Sequence, residues 1–328
     1  MAEITDKSLV LGIDVGGQSS KLGVVDARGE ILVQSVISSL QTDIDSYITD
    51  LTDAINDLIG KVGGTSKIRG IGIGAPNGNY YKGTIEYAPN LKWCYDSSGK
   101  PQVIQFAKMI SSRVGVPVTV TNDANAAGIG EMTYGIAKGM KNFIMITLGT
   151  GVGSGIVIDG KMVYGHDGFA GELGHTIAVK DGRKCNCGLR GCLETYCSAI
   201  GVSRTVTEVL ANSDKPSILR DLDQTKPISS YEVFKAAEQG DELAKEIFKI
   251  TGELMGTAFA DFIKFSAPEA IVLFGGLAKA GKYLDEHIIR SMNENQLPIW
   301  KNKVKLLHST LKDSDAAILG ASALAWEL

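Results

Sequence analysis

One imidazole and three thiols carry the strongest chemical signal in the sequence: His175, Cys185, Cys187 and Cys192. Together they complete a tetrahedral Zn2+ shell, and the Cys-x-Cys-x4-Cys spacing, with glycines at the turns, lets a short loop wrap a single ion. Four protein ligands leave no open coordination position, so the expected zinc is structural. Unmetallated thiols are the plain alternative. Cys94 and Cys197 lack such spacing and read as ordinary buried thiols. Glu172 and Glu194 flank the loop. Carboxylates that are not ligands are free to bind the hydroxyls of a small molecule. The ring nitrogen of His175 that does not face the metal can reach the same molecule, its tautomer fixed by the ion.

A second group is Thr121-Asn122-Asp123-Ala124-Asn125, a polar cluster at the end of an apolar run and the start of an Ala-rich one. Ligands bind at such strand ends in α/β proteins. Asp123 has the plain reading of a helix cap. One cap, however, does not require an Asp and two Asn within four residues. A carboxylate there suits a base that accepts the proton of an alcohol during phosphoryl transfer.

Phosphate chemistry is suggested by three glycine turns. Asp14-Val15-Gly16-Gly17-Gln18-Ser19-Ser20-Lys21 puts an acid at a strand end, then glycines, hydroxyls and a cation. Without Cβ atoms, Gly16 and Gly17 leave backbone N–H groups open to an anion. Asp14 is placed to reach Mg2+ through water, and Lys21 to neutralise a phosphate. Gly149-Thr150-Gly151-Val152-Gly153-Ser154-Gly155 is the stronger turn. It is no Walker A loop, since no Gly-Lys-Ser/Thr closes it, and no dinucleotide fingerprint, since a hairpin follows in place of a helix. Gly275-Gly276 follows the run Ile271 to Phe274 and precedes a helix start, a geometry suited to the adenosine or α-phosphate of a nucleotide. Taken alone, a plain hairpin explains the first turn about as well, and tight strand–helix packing the third.

The elements that position these groups are legible in outline. Leu9 to Val15, Lys21 to Val25 and Ile31 to Ile37 read as three strands joined by turns. The pattern recurs at Phe143 to Leu148, Ser154 to Ile158 and Lys161 to Tyr164, with an Asp159-Gly160 turn. This weak repeat suggests two domains with similar cores. Gly70 to Gly74, Val116 to Val120, Ala270 to Phe274 and Val304 to Leu307 are further strands. Helices are expected at Ile44 to Ile59, Val103 to Val114, Ala124 to Tyr134, Ala316 to Trp326, and as two pieces over Tyr231 to Phe265 with a break near Gly240. Strands alternating with helices predict α/β layers. The predicted domains are residues 1–121, with the final helix 313–328 packing back on them, and 122–312, which carry the zinc loop.

The 328 residues are 44% hydrophobic and 21% charged, with 39 glycines and a net charge of −4. There is no basic stripe, so nucleic acid is not an expected partner. The start of the chain has no apolar stretch resembling a signal peptide, and no run reaches membrane-spanning length. A cytoplasmic protein without a membrane partner is expected, with a homodimer or homotetramer as the default assembly.

Taken together, these residues resemble the ROK family (repressor, open reading frame, kinase) of bacterial sugar kinases, and its glucokinase branch most. The resemblance runs from Asp14 to the last helix. Its most specific part is Glu172-Leu173-Gly174-His175 with Cys185, Cys187, Cys192 and Glu194. It implies an actin-like ATPase (ribonuclease H-like) fold, duplicated, with two domains around a cleft. It also implies ATP, Mg2+ and a structural Zn2+, and a hexose as substrate. By the same resemblance Asp123 is the catalytic base and Asn122, Glu172, His175 and Glu194 bind sugar. Residues 14–21 and 149–155, including Asp14, Gly16, Gly17, Lys21, Thr150 and Gly151, are phosphate loops, and Gly275-Gly276 is the adenosine turn. Asn77 and Asn90 are expected to line the sugar site. Two departures stand out: Gln18 where the family has Thr, and Ala75 to Tyr81 in place of a Gly-Pro-rich form. Glucose is the expected substrate, with N-acetylglucosamine, N-acetylmannosamine, mannose or fructose as alternatives and polyphosphate as an alternative donor. A sugar-sensing regulator without turnover is a reading of another class. Only thirteen residues precede Asp14, too few for the helix-turn-helix of the family's repressors.

Overall fold

The computed structural model describes residues 7–328; the start of the predicted first domain, residues 1–6, lies outside the described residues. The chain divides into two compact units. One takes the chain up to Gly139, then Met162–Gly171 and Thr310–Leu328; the other takes Met140–Lys161 and Glu172–Ser309.

In the first unit, β1 (Leu9–Val15), β2 (Ser19–Asp26) and β3 (Ile31–Ser38) form an antiparallel meander. Helix α1 (Ile44–Lys61) leads to β4 (Ile68–Ala75), which returns parallel to β1. The small strands β5 (Gly78–Asn79), β6 (Thr84–Glu86) and β7 (Val103–Ile104) form a separate sheet, followed by α2 (Phe106–Val114), β8 (Val118–Asn122) and α3 (Asp123–Tyr134). The main sheet runs β3-β2-β1-β4-β8. Its core, on the α1 and α2 face, holds Tyr47 and Trp93 stacked at 4.6 Å, with Phe106 stacked on Trp93 at 5.6 Å.

In the second unit, β9 (Phe143–Leu148), β10 (Val152–Ile158) and β11 (Lys161–Met162) repeat the meander. Then come α4 (Glu194–Cys197), α5 (Ala199–Ala211), α6 (Ser230–Glu238), α7 (Glu242–Ser266), β12 (Ala270–Phe274), α8 (Lys282–Glu294) and β13 (Lys305–His308). The sheet runs β11-β10-β9-β12-β13, with β12 parallel to β9 and to β13. Strand for strand this is the order of the first sheet, so the repeat seen in the hairpins extends over both five-stranded sheets. Among the described residues, no helix is long and apolar enough to cross a membrane.

The last helix, α9 (Ala316–Leu324), lies in the first unit. It approaches β1 and β4 so closely that a Cβ on Gly12 would meet Ile318 O at 2.2 Å and one on Gly72 would meet Ala321 O at 2.0 Å. Part of the high glycine content therefore serves helix–sheet packing, not ligands. Helix α3 packs on α9 as well, with Gly130 facing Gly320. This long-range contact keeps α3 in the first unit, so the boundary lies after Gly139 and not before Asn122.

Three local expectations change. The helix expected from Val103 begins at Phe106, because Val103 and Ile104 pair with Glu86 and Ile85. The strand expected to reach Tyr164 stops at Met162, and Tyr164 turns away to stack on Tyr80. After Gly275-Gly276 comes a single 3-10 turn, Leu277–Ala280, and α8 starts only at Lys282. That one turn carries too few aligned peptides for the helix-dipole role expected there.

Candidate functional site

Asp123 stands at the first helical position of α3, just beyond the C-terminal end of β8. Asn122 is the N-cap, its Oδ1 accepting from Ala124 N at 2.8 Å. The capping role is therefore filled by the preceding residue. Asp123 Oδ1 accepts from the same N–H at 2.8 Å. Its side chain keeps a solvent-exposed face although protein surrounds most of it. That desolvation raises its pKa above the ordinary carboxylate range, opposed by the backbone hydrogen bond to Ala124.

Asp14, next to last in β1, pairs across the ladder with Lys21 of β2. Burial, then the charge of Asp123, push its pKa up to about 6, against the pull of Lys21. Asp14, Lys21 and Asp123 thus share one electrostatic neighbourhood. The turn between β1 and β2 is tight: Gly16 N donates to Ser19 O at 3.1 Å, and a Cβ on Gly17 would meet Asn90 O at 2.9 Å. The structure so brings the phosphate-turn candidate Gly17 against the sugar candidate Asn90, whose side chain is exposed. Beneath the turn, Ser20 Oγ shares hydrogen bonds with Tyr47 Oη at 2.6 Å and Ser39 Oγ at 2.8 Å, and Ser39 N donates to Gln18 O at 2.9 Å. Sequence reasoning missed this buried hydroxyl floor, since its three residues come from β2, the end of the β3 segment and α1. Asn77 sits in left-handed backbone at φ 52° and donates its amide N–H groups to Glu86 O at 3.0 Å and Tyr87 O at 3.4 Å. Its amino group is spent on closing its own loop.

In the second unit, β9 and β10 enclose the turn Gly149-Thr150-Gly151. Val152 N donates to Glu194 Oε2 at 3.0 Å, and a Cβ on Gly151 would stand 2.3 Å from that oxygen. Glu194 was expected to be free for a sugar. One of its oxygens instead ties the Gly-rich turn, and the other lies 3.7 Å from Cys185 Sγ. Gly275, at φ +106°, lies against the end of β9, where a Cβ would meet Leu148 O at 2.5 Å, whereas a Cβ on Gly276 would meet nothing within 4 Å. Of that pair only Gly276 faces open space.

The ligand atoms of His175, Cys185, Cys187 and Cys192 all lie within 4.8 Å of one another. Cys187 Sγ and Cys192 Sγ are 3.7 Å apart, close to the edge of about 3.8 Å expected for a tetrahedron with Zn–S bonds of about 2.3 Å. The donor set fits zinc. Cys185 Sγ lies 3.8 Å from His175 Nδ1, while His175 Nε2 lies 4.0 Å from Glu172 Oε2. One ring nitrogen faces the thiols and the other faces the carboxylate. Burial pushes the Cys192 thiol up to about 12, so metal entry displaces a proton from it. The loop is clamped by Arg183, which sequence reasoning also missed. Its guanidinium donates to Thr195 O at 2.7 Å, Gly201 O at 3.0 Å and Glu208 Oε2 at 2.6 Å, and lies 4.3 Å from the Tyr196 ring centroid. The partners come from α4 and α5, and no local pattern announces them.

The ROK family profile matches residues 10–327. The chain belongs to the ROK family. It is 36% identical to a glucokinase of Halalkalibacterium halodurans, over 96% of this chain and 94% of the relative. It is 30% identical to a glucokinase of Thermotoga maritima, over 97% of each. The crystal structure of a ROK family glucokinase from Streptomyces griseus, in complex with glucose and AMPPNP, superposes with a TM-score of 0.78 at 30% identity, covering 98% of this chain and 100% of that one. Family membership brings with it the actin-like ATPase fold, which the doubled five-stranded sheets fit. The chain is also 28% identical to a xylose repressor of Caldicellulosiruptor bescii, over 97% of this chain and 78% of that protein.

Proposed function

We propose that this ROK protein transfers the γ-phosphoryl group of ATP to glucose, giving glucose 6-phosphate, with Asp123 as the general base. The observation that most supports the base is its position: a carboxylate at a strand end whose capping duty Asn122 has taken over. Substrate and donor follow from relatives at 30–36% identity named glucokinase, one of them holding glucose and AMPPNP.

Asp123 accepts the proton of the 6-hydroxyl as that oxygen attacks the γ-phosphorus. Desolvation, which raises its pKa above the ordinary carboxylate range, makes it the stronger base for this task. Asp14 is the residue to hold Mg2+ through water, and Lys21 offsets charge on the phosphates. Mg2+, when bound, neutralises charge on the transferring group. Thr150 and the N–H groups of the second turn take phosphate oxygens, and Gly276 admits the adenosine end. Glu172, His175, Asn90 and Asn122 orient glucose. Asn77 shapes the 77–87 loop around it, and Glu194 joins the zinc loop to the Gly-rich turn. Zinc is structural, held by His175, Cys185, Cys187 and Cys192. The protein works in the cytoplasm, as a homodimer or homotetramer.

A coupled assay of ADP release tests this, with ATP or polyphosphate as donor and glucose, N-acetylglucosamine, N-acetylmannosamine, mannose or fructose as acceptor. Glucose with ATP should give the highest kcat/KM. No glucose-dependent ADP release would sink the reading.

A further inference from the structure

Between β11 and Glu172 the chain runs as Met162–Gly171, a segment that belongs to the first unit although the residues on either side belong to the second. Asn79 pins it. That side chain is fully buried, donates from Nδ2 to Asp167 O at 2.8 Å, and accepts at Oδ1 from Tyr81 N at 3.1 Å and Lys82 N at 3.2 Å. Gly168, at φ +93°, passes so close that a Cβ on it would stand 2.6 Å from Asn79 Oδ1. The segment is also closed on itself. Phe169 N donates to Asp167 Oδ1 at 3.2 Å and Ala170 N to Tyr164 O at 3.1 Å, and the Tyr164 ring stacks on Tyr80 at 4.1 Å with planes 4° apart.

Glu172 begins where this fastened segment ends. On its other side the chain is fixed as well. Leu173 N donates to Ser154 Oγ at 3.0 Å, His175 N donates to Glu172 O at 3.1 Å, and a Cβ on Gly174 would meet Val152 O at 2.1 Å. The Glu172 side chain itself is 53% exposed, so its aim is set by the backbone on both sides. On the N-terminal side that backbone is pinned through Asp167 O. Asn79 also lies in the loop that Asn77 closes through Glu86 O and Tyr87 O. One buried amide therefore joins the loop that leads to Asn90 with the segment that leads to Glu172.

We propose that Asn79 is a positioning residue for the sugar: by pinning Asp167 it fixes the segment that delivers Glu172, and so sets how tightly the hexose is held. The proposal rests on the reading of Glu172 as a sugar ligand. Asn79 has no exposed surface and touches no substrate atom. A hydrogen bond from a sugar hydroxyl to a carboxylate weakens steeply when its angle is lost. Glu172 holds the sugar both before and during the transfer, so its misplacement is felt in KM with kcat unchanged.

The test compares Asn79→Asp and Gly168→Ala with the wild type, each as the whole protein, with glucose and ATP as substrates. Asn79→Asp turns the donor that faces Asp167 O into an acceptor and keeps the oxygen that Tyr81 and Lys82 bond. Gly168→Ala drives a methyl group against the same amide from the other side. Each should raise the KM for glucose about tenfold, the weakening expected when one hydrogen bond to a charged group is lost. The kcat and the KM for ATP should stay within about twofold of the wild type. Glu172→Gln is measured alone and combined with Asn79→Asp. It should raise the same KM, and the double variant should be no worse than the worse single one, since both changes remove one interaction. An unchanged glucose KM in both Asn79→Asp and Gly168→Ala, an equal loss in kcat or in the KM for ATP, or additive losses in the double variant would each overturn the proposal. Should one of the two variants fold poorly, the other reads the same contact from the opposite side. A wild type without glucose-dependent turnover takes down the kinase reading and this proposal together. A wild-type KM in Glu172→Gln ends the sugar-ligand assignment and the proposal with it. A raised KM in Glu172→Gln beside wild-type values in Asn79→Asp and Gly168→Ala ends the positioning role alone.

Discussion

The two sheets share one strand order and one hairpin, yet the turns they carry are built and supported differently. The first turn is charged: Asp14 and Lys21 face each other across the β1–β2 ladder. It rests on hydroxyls from within its own unit's core, Ser20, Tyr47 and Ser39. The second turn carries no charge at the matching places, where Thr147 pairs with Gly153. It is held from outside by Glu194, which the zinc loop delivers to Val152 N. A duplicated hairpin can so keep its backbone shape while one copy specialises in charge and the other in N–H groups whose order depends on the loop that carries the His175 and cysteine cluster.

Among the effects that separate the two turns, the largest follows from that dependence. Removing zinc with a chelator, or replacing Cys185 by Ser, should lower kcat/KM by about 10–100-fold, the usual result of disturbing groups around a metal. Amide exchange should quicken at Gly151 and Val152 and stay unchanged at Gly16 and Gly17. Elemental analysis should find about one zinc per chain. Equal loosening of both turns would erase the distinction.

Asp14→Asn probes the charged turn. A carboxyl raised from 3.8 to about 6 is disfavoured as an anion in the folded state. The sign is that of a destabilising group: the cost is absent well below the unfolded value and complete above about pH 6. The variant should therefore be more stable by up to about 3 kcal/mol at pH 7–8, equal to the wild type near pH 3, and poorer in turnover. Urea melts at the two pH values measure it; a loss of stability at pH 8 would contradict the account.

Gly151→Ala places a methyl group against Glu194. Turnover should fall about tenfold with the zinc retained, which separates the turn from the metal. Smallest is Tyr47→Phe, which removes one buried hydroxyl below the first turn and should cost about 1 kcal/mol in chemical denaturation, without altering zinc content.

How much of this was legible in the sequence depended on how local each signal was. The hairpins, the cysteine spacing and the strand end before Asp123 are encoded by residues close together in the chain, and all were readable. The start of α2 was misplaced because Val103 and Ile104 pair with a strand of three residues, too short to show periodicity. The unit boundary was misplaced because α3 is held by α9, nearly two hundred residues away in sequence. Glu194 looked free because nothing in its neighbourhood of the chain names Val152 as its partner. Arg183 and Tyr164 passed unnoticed for the same reason: their partners are assembled by the fold.

The base assignment has the most direct test. Steady-state kcat with saturating glucose and ATP should fall by about 10²–10⁴-fold in Asp123→Asn, the usual contribution of general base catalysis, with zinc content and thermal stability of the wild type or better. Turnover within a few-fold of wild type would contradict the central claim.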